Sequence, residues 1–421
     1  MAATEKVIYV YADWNKSDPE LMGRLYVAMI RGKELFSFEY AKDWLCKKDS
    51  GFIFDPDLHF YEGRQYTPQE KPQFGLFSDS CPDRWGRLLM NRREAIISRQ
   101  EGRKPRALVE SDYLLGVYDE IRMGALRFSI EENGTFLSVD KELAAPPWAT
   151  LRNLEAASLA FEDDANGQDE KWLKQLLAPG SSLGGARPKA SILAPDGSLW
   201  IAKFPSKHDE WNSGAWEIVV HDLAVLCGIN VPEAKLMTFS DNSSTFLIKR
   251  FDRENGNRIH FTSAMALLGK TDGSDADETS YLDIASFIKS NGAMPKLDLK
   301  ELWKRMVFNM AVSNTDDHLR NHGFLFSKNG WILSPQYDVN PNVYGNTLSL
   351  KVNMEDNSID FELAIETAEY YNIDLINAKS IIEDMKQIIS DNWRTLANKY
   401  GLGKDAISFM KPAFSTISRP S

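Results

Sequence analysis

The stretch Asn314-Thr315-Asp316-Asp317-His318-Leu319-Arg320-Asn321 decides how this chain is interpreted. It follows a run of apolar residues that recur at the three- and four-residue steps of one helical face. These residues are Leu299, Leu302, Trp303, Met306, Val307 and Met310. We expect that helix to end near Ser313. Downstream, two short apolar runs flank Asn329-Gly330, a dipeptide that favours a two-residue hairpin turn with two positive φ angles. The polar stretch is therefore predicted to form a loop between a buried helix and a hairpin.

The spacing of the polar residues in this loop points to a chemistry. Four residues separate Asp316 from Asn321, and Asp338 follows the predicted hairpin. Phosphoryl transfer requires a carboxylate that orients the attacking hydroxyl and a few oxygen ligands for Mg²⁺, and kinase catalytic loops use this Asp-x-x-x-x-Asn spacing. The alternative is that Asn314, Asp316 and Asp317 only cap a helix or turn. Capping requires neither the hairpin nor Asp338, so the whole pattern favours phosphoryl transfer.

A kinase site also needs a loop that approaches phosphates and a lysine on the next strands. The stretch Gly180-Ser181-Ser182-Leu183-Gly184-Gly185-Ala186-Arg187-Pro188-Lys189 is the candidate loop. It lacks the end of a Walker A loop and the pattern of ordinary protein kinases, and a linker is the alternative. Lys203 lies in the second of two strand-like runs joined around Asp196-Gly197, with apolar neighbours on both sides.

The next segments fit the remaining parts of a small kinase lobe. Trp216 to Leu226 is predicted to form a largely buried helix, and Glu217 near its start is the candidate partner of Lys203. A glutamate is equally favourable there because the helix dipole prefers negative charge in the first turn. The runs 233–239 and 245–251 are predicted strands, and the second would lead into the segment that contacts adenine. These parts occur in the order that a kinase requires.

At this point the sequence resembles the HipA-type serine/threonine kinases of bacterial toxin–antitoxin modules over nearly its whole length. The segments that carry the resemblance are 36–40, Pro82-Asp83-Arg84-Trp85-Gly86-Arg87, 181–189, 202–204, Lys249-Arg250-Phe251-Asp252-Arg253, 314–321 and 335–339. Residues 317–320 depart from the Gly-His-Ala-Lys of some relatives. Arg320 stands where those relatives have lysine, so a planar guanidinium group replaces a compact ammonium group. This changes the expected phosphate contact.

The resemblance implies a role for each matching residue. Asp316 would be the catalytic base, Asn321 and Asp338 would hold Mg²⁺, and Ser182 would be the autophosphorylated serine. A phosphate on Ser182 would add negative charge to a loop that must lie against ATP. The residues expected to contact ATP are Ser182, Gly184, Gly185, Ala186, Lys189, Lys203, Glu217, Lys249, Phe251, His318 and Arg320.

The resemblance also implies a fold and partners. We expect an α+β, two-lobed protein-kinase-like fold with a β-rich amino-terminal subdomain at residues 1–147. The kinase core would cover residues 148–421, with a small lobe to about residue 255 and a mainly helical lobe after it. A strand at Thr347–Val352 and a long helix through Leu375–Tyr400 are expected within that lobe. The partners would be a helix-turn-helix antitoxin called HipB and a protein substrate of the aminoacyl-tRNA synthetase class.

Composition excludes several other classes of protein. The chain has 421 residues, 43% of them hydrophobic, and a formal net charge of −11, which argues against direct binding of nucleic acid. The three cysteines, Cys46, Cys81 and Cys227, are isolated, so neither a disulfide framework nor a zinc site is expected. No apolar run is long enough to span a membrane, and we expect the protein in the cytoplasm. A small-molecule phosphotransferase and a non-catalytic co-repressor remain the alternatives to a toxin kinase.

Overall fold

The structure is a computed structural model that describes residues 5–14, 18–47, 51–138, 145–163, 176, 185, 187–240, 243–271 and 279–418. The chain divides into two compact units. Unit 1 comprises Met1–His208 and Lys249–Thr262, and unit 2 comprises Asp209–Ile248 and Ser263–Ser421. The boundary expected near residue 147 remains a prediction.

The strands of the described chain are mostly short and antiparallel. They are β1 (Lys6–Ala12), β2 (Glu20–Ile30), β3 (Lys33–Tyr40), β4 (Gln65–Tyr66), β5 (Leu126–Ser129), β6 (Lys189–Leu193), β7 (Leu199–Lys203), β8 (Ala234–Ser240), β9 (Ser243–Lys249), β10 (Arg253–Glu254), β11 (Asn257–Arg258), β12 (Phe261–Ser263), β13 (Gly323–Ser327) and β14 (Gly330–Leu333).

The longer helices lie mainly in the second half of the chain. The helices are α1 (Lys42–Leu45), α2 (Gly75–Ser78), α3 (Arg84–Gln100), α4 (Glu110–Gly116), α5 (Leu151–Asp163), α6 (Ser213–Leu226), α7 (Ala264–Leu267), α8 (Tyr281–Asn291), α9 (Pro295–Ala311), α10 (Phe361–Thr367), α11 (Leu375–Lys399) and α12 (Lys404–Met410). None of the helices in the described ranges is both long and apolar enough to cross a membrane.

Unit 1 contains a five-stranded antiparallel sheet in the order β4-β3-β2-β1-β5. The β2–β3 hairpin closes through Arg31-Gly32, whose φ angles of 51° and 80° match the twist of paired strands. A second core forms where Trp85 and Leu89 of α3 pack with Ala157 and Phe161 of α5. The β-rich character expected for the start of the chain is therefore present in this sheet.

The segment that follows β9 is tied into unit 1 by a buried charge network. Asp252 is fully buried, and its Oδ2 accepts hydrogen bonds from Arg250 Nη2 at 2.6 Å and Arg253 Nη1 at 2.7 Å. The same oxygen accepts from Gly124 N at 2.8 Å, while Arg250 Nη1 donates to Ile121 O. Burial alone would raise the pKa of the Asp252 carboxyl, but the two guanidinium groups hold it well below its usual range. The network explains why residues 249–262 belong to unit 1.

Unit 2 is built around the apolar helix α9, as the sequence predicts. Its expected end near Ser313 is confirmed, since the helix ends at Ala311. The predicted hairpin after the polar loop is also confirmed as β13–β14. The expected position of the turn is wrong by one residue. Ser327 pairs with Gly330, so the two turn residues are Lys328 and Asn329. Gly330, with φ of 122°, instead begins β14 where an added Cβ would lie 2.7 Å from Asn291 O.

Other expectations for unit 2 differ in outcome. Residues 213–226 and 375–399 are helices α6 and α11, as their apolar periodicity predicts. The strand expected at Thr347–Val352 is wrong, since only isolated bridges form there, from Thr347 to Ser358 and from Lys351 to Ser280. Polar loop contacts replace the ladder, such as the bond from Ser349 Oγ to Thr315 O at 2.8 Å. The mixed α and β fold expected from the sequence is confirmed.

The buried Asp252 carboxylate predicts a pH-dependent stability of unit 1. Asp252→Asn leaves the buried Arg250 guanidinium and the half-buried Arg253 guanidinium without their carboxylate, so we expect the free energy of unfolding at pH 7 to fall by about 3–5 kcal/mol. Because the folded pKa of Asp252 is depressed, its contribution is present above the unfolded pKa of about 3.9 and is lost as pH falls below that value. Urea denaturation should therefore show a difference between variant and wild type that narrows from pH 7 to pH 3.

The matched control for this prediction is Asp43→Asn, which changes an exposed carboxylate in the first turn of α1. It should leave the free energy of unfolding within about 0.5 kcal/mol of wild type at both pH values. Equal stability of Asp252→Asn and wild type at pH 7 would show that the network does not stabilise unit 1.

Candidate active site

The loop between α9 and β13 places two neighbouring carboxylates in opposite surroundings. Asp316 is exposed, whereas Asp317 is 2% exposed. The Asp316 carbonyl oxygen accepts hydrogen bonds from His318 N at 3.1 Å and from Asn321 Nδ2 at 2.9 Å. A short 3₁₀ turn over Leu319–Asn321 closes the loop. The loop is therefore folded around its own backbone while the Asp316 side chain faces solvent.

Asp317 holds this loop against the helices of unit 2. Its Oδ2 accepts hydrogen bonds from Tyr281 Oη at 2.5 Å, Asn309 Nδ2 at 2.8 Å and His322 Nε2 at 2.8 Å. Burial alone would raise the pKa of the Asp317 carboxyl, but the charge and hydrogen bond of His322, with the bond from Tyr281, lower it below its usual value. Asp317 therefore remains ionised inside the protein, anchored to α8 and α9.

Hydrogen bonds of the Asn309 side chain link Asp317 to the segment that carries Asp338. The Asn309 side-chain oxygen accepts from Asn314 Nδ2 at 3.1 Å and from Gln336 Nε2 at 3.3 Å. Asn314 lies two residues before Asp316, and Gln336 lies two residues before Asp338. One buried amide on α9 thus contacts both of the loops on which the predicted catalytic and metal-binding residues lie.

Further hydrogen bonds join the two loops directly. Asn342 Nδ2 donates to Thr315 Oγ1 at 2.7 Å, and Asn340 N donates to Asn314 Oδ1 at 3.3 Å. On the other side of Asp338, Tyr337 Oη donates to Arg320 O at 2.6 Å. The sequence-predicted residues Asp316, Asn321 and Asp338 therefore lie on two segments that are connected on both sides of Asp338.

The backbone of Asp338 and its surroundings suit a functional carboxylate. Its φ of 59° is left-handed, a conformation that Asp and Asn tolerate better than other side chains with a Cβ. Asp338 lines a small cavity that also contains Glu217, together with the apolar side chains of Val220, Phe246 and Ile248. Glu217 itself is 5% exposed. The structure thus brings two sequence-predicted carboxylates to one cavity of unit 2.

His318 and Arg320 lie on the same loop as Asp316 and are half-buried, and their contact with ATP remains a prediction. The Nδ1 atom of His318 is buried and has no hydrogen-bond partner among the described residues. A buried ring nitrogen without a partner can form a hydrogen bond with a bound ligand.

The other sequence-predicted residues lie in unit 1 or outside the described chain. Lys203 ends β7 and is half-buried, while Lys249 ends β9 and Phe251 contacts the ring of Phe261 at 5.9 Å. Gly185 has a left-handed φ of 94°. Ser182, Gly184 and Ala186 lie outside the described residues. Because Lys203 and Glu217 belong to different units, the ion pair expected between them remains a prediction.

Lys189 has surroundings that the sequence did not indicate. Its side chain is 2% exposed, and its Nζ lies 2.9 Å from Asp83 Oδ2. Its assignment as an ATP contact remains a prediction.

Oxygen donors of the right kind for Mg²⁺ are present on the two connected loops. The Asn321 side-chain nitrogen donates a hydrogen bond to the Asp316 carbonyl oxygen. The Asn321 side-chain oxygen is therefore the atom that could bind a metal. With the Asp338 carboxylate it would supply two hard oxygen ligands, the kind that Mg²⁺ takes from a protein that also binds phosphates. Among the described residues, no group of three or more His, Cys, Asp or Glu side chains could hold a metal ion alone. The chemistry of these two donors fits the Mg²⁺ ligands expected from the sequence, and their assignment remains a prediction.

The sequence interpretation missed the residues that hold the site together. In the sequence Asp317 stands out as a departure from relatives, and neither Tyr281 nor Asn309 belongs to a predicted site. Asn309 carried a signal, because it is a polar residue inside the apolar run from Met306 to Ala311. Tyr281 carried none, since it lies 36 residues from Asp317 in the chain.

Comparison with known proteins identifies the class. The model of the HipA-like C-terminal domain family matches residues 181–393, just over half of the chain. The chain therefore belongs to the HipA-like family. A similar solved structure is HipA of Shewanella oneidensis MR-1 in a toxin–antitoxin complex with HipB and operator DNA. The alignment covers 97% of this chain and 95% of the HipA chain. Its TM-score is 0.65 at 16% sequence identity, which shows that the fold is shared.

Two curated relatives are similar at the sequence level. "Putative kinase Y4mE" of Sinorhizobium fredii (strain NBRC 101917 / NGR234) is 25% identical over 246 residues. That match covers 53% of this chain and 51% of the relative. A "Putative kinase" of Haemophilus influenzae is 25% identical over 256 residues, covering 54% of this chain and 69% of that protein. The chain thus spans about half the length of the first relative and about two thirds of the second.

The Asp317 site predicts different costs for the same substitution at two tyrosines. Tyr281 and Tyr371 are both fully buried. Tyr281→Phe removes a hydrogen bond to a buried carboxylate and should lower the free energy of unfolding by about 1.5–3 kcal/mol. Tyr371 Oη has no hydrogen-bond partner among the described residues, so Tyr371→Phe should change that free energy by less than about 0.5 kcal/mol. Denaturant unfolding of both variants is the measurement, and equal effects would contradict the importance of the Asp317 contact.

Proposed function

We propose that this protein is an ATP-dependent serine/threonine protein kinase that acts as the toxin of a toxin–antitoxin module. The observation that carries the proposal is the connection of the Asp316–Asn321 loop to the Asp338 segment through Asn309, Asn314 and Asn342. These segments supply the carboxylate and oxygen ligands that phosphoryl transfer needs, in a chain of the HipA-like family. The names of the curated relatives support the same class.

The proposed chemistry assigns each side chain a simple task. The exposed Asp316 carboxylate orients the acceptor hydroxyl of a serine and takes its proton. Asn321 and Asp338 offer oxygen ligands to Mg²⁺, which when bound with ATP neutralises the charge that develops on the transferred phosphoryl group. By the family resemblance, Lys203 would contact the nucleotide phosphates and Glu217 would be its partner. His318 and Arg320 lie on the same loop as Asp316 and would contact phosphate oxygens.

The proposed partners follow from the family and from charge. The solved structure of the S. oneidensis relative contains HipB and operator DNA. We propose that a HipB-like antitoxin binds this chain, and that the antitoxin makes the DNA contacts, because a net charge of −11 disfavours direct binding to a polyanion. A cytoplasmic protein of the aminoacyl-tRNA synthetase class is the proposed substrate, and Ser182 is the proposed site of autophosphorylation.

The first test is the base assignment. Asp316→Ala removes the group that orients and deprotonates the acceptor, and should lower phosphoryl transfer from labelled ATP by about 10²–10⁴-fold. Transfer to the protein itself and to proteins of a bacterial extract is measured by autoradiography. Because Asp316 is exposed, the variant should unfold at the wild-type temperature, which serves as the control. Undiminished transfer would show that Asp316 is not the base.

The same assay also separates the alternative functions. Label that appears only on a metabolite would identify a small-molecule phosphotransferase. Failure of the wild-type protein to bind Mg-ATP would favour a non-catalytic co-repressor.

The second test concerns the metal ligand Asp338. Asn also tolerates the left-handed conformation at this position, so Asp338→Asn changes the charge and preserves the backbone. The concentration of Mg²⁺ that gives half-maximal transfer should rise about tenfold or more, because the site loses its anionic ligand. Asp384→Asn is the control, since it makes the same substitution at an exposed carboxylate of α11 that is not assigned as a ligand. An unchanged Mg²⁺ dependence in Asp338→Asn would show that Asp338 does not bind the metal.

A further inference from the structure

The segment Pro82-Asp83-Arg84-Trp85-Gly86-Arg87 takes no part in the function proposed above. In unit 1 it begins helix α3, and Asp83 is the N-cap residue whose Oδ1 accepts from Gly86 N at 2.7 Å. An N-cap needs only one side-chain oxygen, so the second oxygen can serve another partner. That partner is Lys189, whose Nζ lies 2.9 Å from Asp83 Oδ2.

The pair is buried and reinforced by a neighbouring residue. The side chains of Asp83 and Lys189 are 1% and 2% exposed. Charges this deep are stable only when they are paired, because each has lost its hydration. Trp85 Nε1 also donates to the Lys189 carbonyl oxygen at 3.1 Å, and its ring packs edge to face on Phe161. Lys189 is thus fixed through both its side chain and its backbone.

Lys189 connects this anchor to the end of the glycine-rich stretch. Lys189 is the first residue of β6, and its Nζ lies 3.5 Å from Gly185 O. An added Cβ on Gly185 would lie 3.3 Å from that same Nζ, so a side chain would crowd the ammonium group. The order of contacts is therefore Asp83 to Lys189 to Gly185.

The anchor also affects the charge beside Lys203. Lys189 is paired directly with Lys203 across the β6–β7 hairpin. Residues that face each other in an antiparallel pair project from the same face of the sheet, and like charges there repel. Asp83 offsets that repulsion, because its carboxylate neutralises Lys189 on the shared face. Asp83 therefore acts on the surroundings of the lysine proposed to contact ATP.

We propose that Asp83 is a positioning residue for nucleotide binding. It holds Lys189 as an internal anchor for Gly185 and leaves phosphate binding to Lys203. The nucleotide part of this proposal rests on the proposed function, whereas the Asp83–Lys189–Gly185 connection does not.

The test variant is Asp83→Asn, which retains a side-chain oxygen for the N-cap and removes the charge. In the protein without nucleotide, amide hydrogen exchange of peptides covering residues 185–193 should accelerate about tenfold or more, because the buried ammonium loses its anion. Exchange in the interior of α3, at residues 89–97, should stay at the wild-type rate. The dissociation constant of Mg-ATP, measured by calorimetry, should rise about tenfold, because the strand opposite Lys203 is no longer fixed.

Two further variants separate positioning from general destabilisation. Asp374→Asn makes the same substitution at the exposed N-cap of α11, where the side chain accepts from Asn377 N and no buried lysine is involved. It should change neither measurement. The double variant Asp83→Asn with Lys189→Met removes both charges, so exchange at residues 187–193 should return toward the wild-type rate. Its affinity for Mg-ATP should remain weak, because the ammonium that anchors Gly185 is absent.

The outcomes distinguish this proposal from the proposed function. Unchanged exchange at residues 185–193 in Asp83→Asn would overturn the anchor, as would equal acceleration in β6 and α3. Accelerated exchange with an unchanged Mg-ATP dissociation constant would overturn the positioning role. If the wild-type protein does not bind Mg-ATP while exchange responds as expected, the proposed function fails and the connection stands.

Discussion

The buried carboxylate of Asp317 is the charge on which the loops of unit 2 depend. An ion in the protein interior must be compensated by hydrogen bonds or opposite charge, and here Tyr281, Asn309 and His322 compensate it. Because these partners lie on α8, on α9 and before β13, Asp317 ties the loop to three segments of unit 2. Since Asp316 is the adjacent residue, the inward direction of Asp317 favours an outward direction for Asp316. The exposure of the proposed base therefore follows from the burial of its neighbour.

The sequence predicted those parts of the site that are close together in the chain. The spacing of Asp316 and Asn321, and the hairpin before Asp338, are local patterns, and local patterns can be recognised without a structure. The Asn329-Gly330 turn shows the limit of such patterns. The dipeptide favours a turn, but Gly330 is needed where β14 approaches the backbone at Asn291. A close approach between distant segments decided the register, and nothing within the dipeptide indicates it.

The surroundings of charged residues were the least predictable feature. A lysine after a glycine-rich stretch suggests a phosphate contact, yet Lys189 is buried against Asp83 from the start of α3. In the same way, Arg250 and Arg253, which follow β9, bind Asp252 and carbonyl groups of residues 120–124. Sequence shows that a charge exists, but which distant group neutralises it depends on the fold. Burial reverses the usual expectation that a lysine or arginine faces solvent.

These networks share a division of tasks between neighbouring charged residues. In the loop between α9 and β13, Asp317 is buried and holds the loop, while Asp316 remains at the surface. Across the β6–β7 hairpin, Lys189 is buried against Asp83 and the opposite Lys203 is half-buried. In each pair, one residue is buried and loses its hydration to an internal partner. This contact fixes the backbone nearby, while the second residue of the pair keeps more of its own hydration. Residues such as Asp83 and Asp317 have no chemical task, but a transferring group cannot be held in position without a rigid neighbour.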